Sequence, residues 1–196
     1  MENKFFTFIS PFIKYIDKGH LFRKPFGWLY SFIAVLNLLV PLYILFLLMS
    51  NHIFDAPFKY VVWLLFSWII IAFTGWCGFQ LWWDRKEKIT FSSEENAEFT
   101  ATPVFSHFIQ TLGEWIGGMI GLGGTTLTFF AFLFLGEEIS LLSAGLPLFG
   151  EFMSGGWLYI FLMPIYGFII IVFSRFIAEQ IKALSVIANN TKQRNG

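Results

Sequence analysis

The stretch GEWIGGMIGLGGTTLTFFAFLFLG, Gly113 to Gly136, decides the fold of this chain. Its first half is nearly stripped of side chains and its second half is rich in Phe and Leu, with a single acidic residue, Glu114, near its start beside Trp115. Gly113, Gly117 and Gly121 fall four residues apart, with Gly124 three further on. On a helix such glycines line one face and let another backbone approach closely. An apolar run of this length predicts a membrane-crossing helix, and the rest of the chain reads as membrane structure built around it.

The composition agrees. Of 196 residues, 56% are hydrophobic, 21% aromatic and only 13% charged. A soluble domain carries about a quarter charged residues, so this chain lacks the polar surface for solubility. Twenty-seven Phe and eight Trp suit lipid contact and membrane interfaces. Thirteen Lys and Arg balance thirteen Asp and Glu, which leaves no nucleic-acid footprint. The single cysteine, Cys77, lies in an apolar run and reads as a small buried residue, with no internal disulfide. The opening residues, MENKFFTFISPFIKYIDKGHLFRK, have neither an unbroken apolar core nor a small-residue cleavage site, so no cleavable signal is expected.

Outward from the central run, four spans are expected, at about 26–49, 60–83, 115–135 and 157–174. Residues 1–25 form an amphipathic segment in which Phe5, Phe8, Ile9, Phe12, Ile13 and Ile16 alternate with Lys4, Lys14, Asp17 and Lys18, suited to the headgroup plane. In the first span Trp28 and Tyr30 read as interface anchors, and Pro41 with Asn37 as the site of a structural kink. The second span holds Trp63, Trp68, Trp76, Trp82 and Trp83, the last pair marking an interface before Asp84, Arg85 and Lys86. The polar stretch 84–103 reads as a solvated loop; its Glu94, Glu95 and Glu98 lack the companion ligands a metal requires. Residues 104–112 are expected along the interface, with His107 as a solitary polar anchor. Residues 137–156 carry three Glu and no Lys or Arg, with a middle apolar enough to rest on or dip into the bilayer. The fourth span continues into a helical extension, 176–196, where Ile177, Ile181, Leu184 and Ala188 make an amphipathic stripe.

Positive charge sets the expected orientation. Twelve of the thirteen Lys and Arg fall in the N-terminal segment, the second loop and the C-terminal tail; Lys59 alone falls in the first loop. The positive-inside rule then puts both termini in the cytoplasm.

Two groups of residues could carry chemistry. Glu114 enters the third span and Arg175 leaves the fourth on the same side, so they share a depth and could pair; Glu179, at i+4 from Arg175, competes. The simpler expectation is that both charges snorkel to the headgroups, because each lies near a span end. The glycine ladder Gly113, Gly117, Gly121 and Gly124 reads first as close helix packing, and alternatively as part of a polar path with Thr125, Thr126 and Thr128. No Ser/His/Asp, Cys/His, phosphate-loop or zinc arrangement is evident, and His20, His52 and His107 lie on separate segments. No catalytic residue, metal or cofactor is expected, and the chain reads as a non-enzyme.

The segment GLGGTT, 121–126, resembles the Gly-Thr segment of the proton-channel subunits that energise flagellar and outer-membrane machines. That likeness covers two helices and omits the family's large cytoplasmic domain, so it transfers no mechanism. The C-terminal stretch GWLYIFLMPIYGFIIIVFSRFIAEQIKALSVIANNTKQ, with Arg175 and Glu179 at its Arg-x-x-x-Glu step and Ile187 to Asn190 at its close, resembles the final helix of a small uncharacterised bacterial inner-membrane family, a domain of unknown function. The opening FISPFIKYID is similar to that family's entry segment. Its members have two spans, so the middle of this chain would be an insertion. The resemblance implies a bacterial inner membrane and no activity.

The expectation is thus an all-α polytopic membrane protein with four spans, an interfacial N-terminal helix and a cytoplasmic C-terminal helix. Its partners are the lipid bilayer and either a second copy or another membrane protein, with no nucleic acid. Its expected role is an accessory or scaffold subunit; the alternative is a small homo-oligomeric channel or transporter with a path near Glu114 and Thr125.

Overall fold

A computed structural model describes Pro11 and residues 20–91, 101–138 and 156–195. Among these residues all regular structure is helical. Helix α1 is His20–Ser50 and α2 is Phe58–Phe91. A third rod follows without a break: α3, Ala101–Gly118; a π-helical segment, Met119–Gly124; and α4, Thr125–Leu135. Helix α5, Leu158–Asn195, is the last. Four of these rods are long and apolar enough to cross a membrane: Lys24–Ser50, Phe58–Ile89, Thr102–Leu135 and Leu158–Ala188.

The rods alternate in direction. Trp68 of α2 donates its indole N–H to the Pro41 carbonyl of α1 at 2.9 Å, while Tyr30, eleven residues earlier in α1, packs edge-on against Trp82 at 4.8 Å. On α5, Met163 lies against Gly124 and Ala178 against Ser106, so the third and fourth rods are antiparallel too. The outer faces are greasy throughout. Phe32, Phe46, Phe73, Leu122, Leu133 and Phe168 are all exposed, as expected of rods whose solvent is hydrocarbon.

Three zones hold the bundle together. At the end shared by the start of α1 and the end of α2, Tyr30, Ala34, Trp82, Ile89 and Val104 make a buried aromatic cluster with Phe108 and Trp115 against it. At the opposite end Trp63, Ala131 and Leu135 do the same with Tyr60, Leu64 and Phe134. Between them the contacts are backbone on backbone. A Cβ on Gly75 would lie 2.5 Å from the Asn37 carbonyl oxygen, and one on Gly117 would lie 2.5 Å from that of Gly167. In lipid the hydrophobic effect does not drive helices together, so this close approach and its dispersion contacts carry the association.

The π segment sits in the most glycine-rich part of the chain. Gly121, Gly123 and Gly124 lie within it and Gly117 and Gly118 just before. There each backbone hydrogen bond spans five residues instead of the four of an α-helix. The rod ends at Gly136, whose φ of 55° is a left-handed stop and whose N–H caps the Phe132 carbonyl.

Several sequence expectations change. Residues 104–112 are not a separate segment leading into the span: they are part of α3, with Val104, Ser106 and Thr111 buried against the other rods. Asp84, Arg85 and Lys86 remain helical, because α2 runs on to Phe91. Tyr30 and Trp82 are fully buried core residues, not interface anchors. In α5 the inward face carries Ser174, Ala178 and Ser185, whereas Leu184 and Ala188 of the expected stripe are exposed. Small residues face inward here because α5 must approach α3 closely; Ser106 donates to the Ala178 carbonyl at 2.6 Å. The interfacial segment apart from Pro11 and 20–25, the Glu94–Glu95–Glu98 group and most of 137–156 lie outside the described residues.

Candidate functional site

The polar interior of the bundle is concentrated on one side chain. Glu114 is placed by α3, one position from the glycine face, so its carboxylate reaches between α2 and α5. Arg85 of α2 donates through Nη2 to Glu114 Oε2 at 2.6 Å. Arg175 of α5 donates through Nε at 2.9 Å and Nη2 at 2.6 Å, both to Oε1. Gln110, one turn earlier on α3, adds a bond to Oε1 at 3.0 Å. The Glu114 side chain is 9% exposed, Arg85 19% and Arg175 53%. Two guanidiniums thus face one enclosed carboxylate, the pairing that a buried carboxylate requires.

Glu114 and Arg175 are therefore in direct contact and do not snorkel apart. Glu179 stands exposed one turn further along α5, and Arg175 turns to Glu114 instead. Sequence reading missed Arg85, which looked like a topology marker outside the second span. Gln110 carried a legible signal, since i and i+4 share a helix face.

A second polar group backs this cluster. The Trp115 indole donates to Asn37 Oδ1 at 2.9 Å, and Asn37 donates to its own helix at the Ile33 carbonyl at 2.8 Å. The Tyr30 hydroxyl lies 3.1 Å from His107 Nδ1 and 3.3 Å from Thr111 Oγ1. His107 is thus a partner in a packed network, not a solitary anchor.

The glycine ladder is used within the chain. Ser174 and Ile170 of α5 lie against Gly113, Gly167 and Ile171 against Gly117, Gly167 and Pro164 against Gly121, and Met163 against Gly124. The threonines are likewise spoken for. Thr125, Thr126 and Thr128 donate to the carbonyls of Gly121, Leu122 and Gly124 on their own helix. Thr126 is exposed and Thr128 buried, so the three hydroxyls do not line one continuous track. A cavity of about 70 Å³ does exist between α2 and the third rod, bordered by Glu114, Cys77, Leu81, Gly118 and Leu122. Among the described residues no group of three His, Cys, Asp or Glu side chains is placed to hold a metal ion.

No protein-family model, no curated protein and no solved structure matches this chain.

Proposed function

We propose that this protein is a non-enzymatic accessory or scaffold subunit of a membrane assembly. It lies in the bacterial inner membrane with both termini in the cytoplasm, and packs with a second copy or a partner membrane protein. One observation carries the reading: the groups that could have made a transport path are consumed in holding the chain's own helices together. Gly113, Gly117 and Gly121 are closed by α5, the threonine hydroxyls bond their own backbone, and the Glu114 charge is neutralised by two arginines. Among the exposed apolar surfaces, the one chosen for association is the C-terminal end of α5, where Leu184, Val186 and Ile187 are exposed. Helix α5 spans 38 residues, longer than the about 20 that cross the hydrocarbon core.

The test is native mass spectrometry of the protein extracted from its own membranes in mild detergent, with Leu184→Glu/Ile187→Glu as the control variant. A second protein in fixed ratio, lost in the variant, is the expected result. A lone monomer of about 22.7 kDa would overturn the proposal. A homo-oligomer that admits ions into liposomes, with flux abolished by Glu114→Gln, would instead support a channel. The cavity beside Glu114 is the observation that favours that second reading.

A further inference from the structure

Three cations converge on the Gln110–Glu114 turn of α3. Arg85 comes from α2, while Arg175 and Lys182 come from α5, seven residues apart and so on one face of that helix. Among the described residues their nearby carboxylates are fewer: Glu114 between them, and Glu179, exposed on α5. The other charged groups near Arg85 on the described part of α2 are engaged or turned away. Asp84 pairs with Lys88 at 2.8 Å, Lys86 lies over the Trp83 ring at 4.9 Å, and Glu87 sits two positions from Arg85, on the far side of α2. Among the described residues the cluster therefore holds an excess of positive charge.

It also holds an excess of donors. Arg175 is half exposed and spends Nε and Nη2 on Glu114, leaving Nη1. Among the described residues the Lys182 ammonium has one long contact, 3.5 Å to Gln110 Oε1. Arg85 Nε is buried and meets no acceptor among the described residues. Directly below, on the hydrocarbon side, lies the apolar cavity between α2 and the third rod, with Phe73, Thr74, Cys77 and Leu81 on one wall and Gly118 and Leu122 on the other. Leu81 is one turn before Arg85, so the groove leads up to the cations. At Gly118 an added Cβ would meet nothing within 4 Å, and Phe73 and Leu122 stand exposed at the rim.

We propose that cluster and groove together seat one anionic phospholipid. Its phosphate takes the spare donors of Arg175 and Lys182, with the Arg85 charge beside them, and one acyl chain lies in the groove. Charge complementarity selects the headgroup: a zwitterionic lipid brings its own cation to a site already in positive excess, whereas an anionic one neutralises it. The proposal needs only that the helices lie in a bilayer and does not depend on the scaffold reading.

The test uses the full chain in detergent, with adducts of phosphatidylglycerol and phosphatidylcholine of matched acyl chains counted by native mass spectrometry. Phosphatidylglycerol should be retained in preference. Lys182→Gln, which breaks no ion pair, should reduce that preference by about fivefold with unchanged thermal unfolding. Gly118→Leu, which fills the groove, should weaken both lipids. Equal retention of the two lipids, or an undiminished preference in Lys182→Gln, would overturn the site. Loss of the phosphatidylglycerol adduct to millimolar inorganic phosphate would overturn the lipid assignment in favour of a free anion.

Discussion

Glu114 accepts four hydrogen bonds from three side chains on three helices, so its charge is the electrostatic joint of the bundle. Replacing it with Gln keeps the shape and removes the charge. Arg85, only 19% exposed, is then left without a counter-charge in a poorly solvated place. The expected cost is about 2–3 kcal/mol of stability in detergent, below the fully enclosed case because Arg175 is half exposed. Reversible unfolding in SDS-mixed micelles measures it. Glu114→Gln combined with Arg85→Gln should recover part of the loss, since the stranded charge goes with it. If the double variant is no more stable than the single, the role of Glu114 is packing and not charge.

At the scale of the element, neighbouring glycines at the end of α3 have opposite duties. Gly117 faces α5, where an added Cβ would lie 2.5 Å from both the Gly167 carbonyl oxygen and Ile171 Cγ1. Gly118 faces open space, with helical φ and ψ of −65° and −45°. Gly117→Ala should therefore destabilise the α3–α5 crossing and Gly117→Leu should prevent it. Gly118→Ala should be neutral or stabilising by up to about 1 kcal/mol, through helix propensity and a less flexible unfolded chain. A disulfide introduced between α3 and α5 reports the crossing: its yield should fall in Gly117→Leu and hold in Gly118→Ala. Equal behaviour of the two variants would mean that this face is not the contact.

Across the whole molecule, the end opposite the charged cluster is tied by polar contacts at its rim. Lys59 and Tyr60, at the start of α2, donate to the Glu138 carboxylate just past α4, at 2.5 Å and 2.7 Å. These donors hold the Glu138 carboxyl below the usual carboxylate range. A depressed carboxylate stabilises the fold above its unfolded pKa, and that contribution is lost as pH falls through the folded value. The stability difference between the native chain and Glu138→Gln should therefore be present at neutral pH. It should fade as pH drops below about 4.3, the ordinary Glu value, when followed by thermal unfolding in detergent. The effect is small because the pair is exposed. A difference that persists unchanged at lower pH would mean that Glu138 acts without its charge.

What could be read along the chain was the class: four apolar runs, few charges and all-helical segments. The hydrocarbon core imposes length and composition on each span separately, so those properties are local and visible. The glycine spacing also announced a close crossing, and Glu114 with Arg175 announced a shared depth. Which surface met which was not visible. That Gly117 closes on Gly167, that Arg85 joins Glu114, that Thr125 bonds its own helix, and that Ala178 and not Leu184 faces inward all depend on how each helix is rotated. In water, apolar periodicity reports that rotation. In lipid a Leu or Phe suits the outside as well as the inside, so the pattern is silent and only the packed tertiary structure decides.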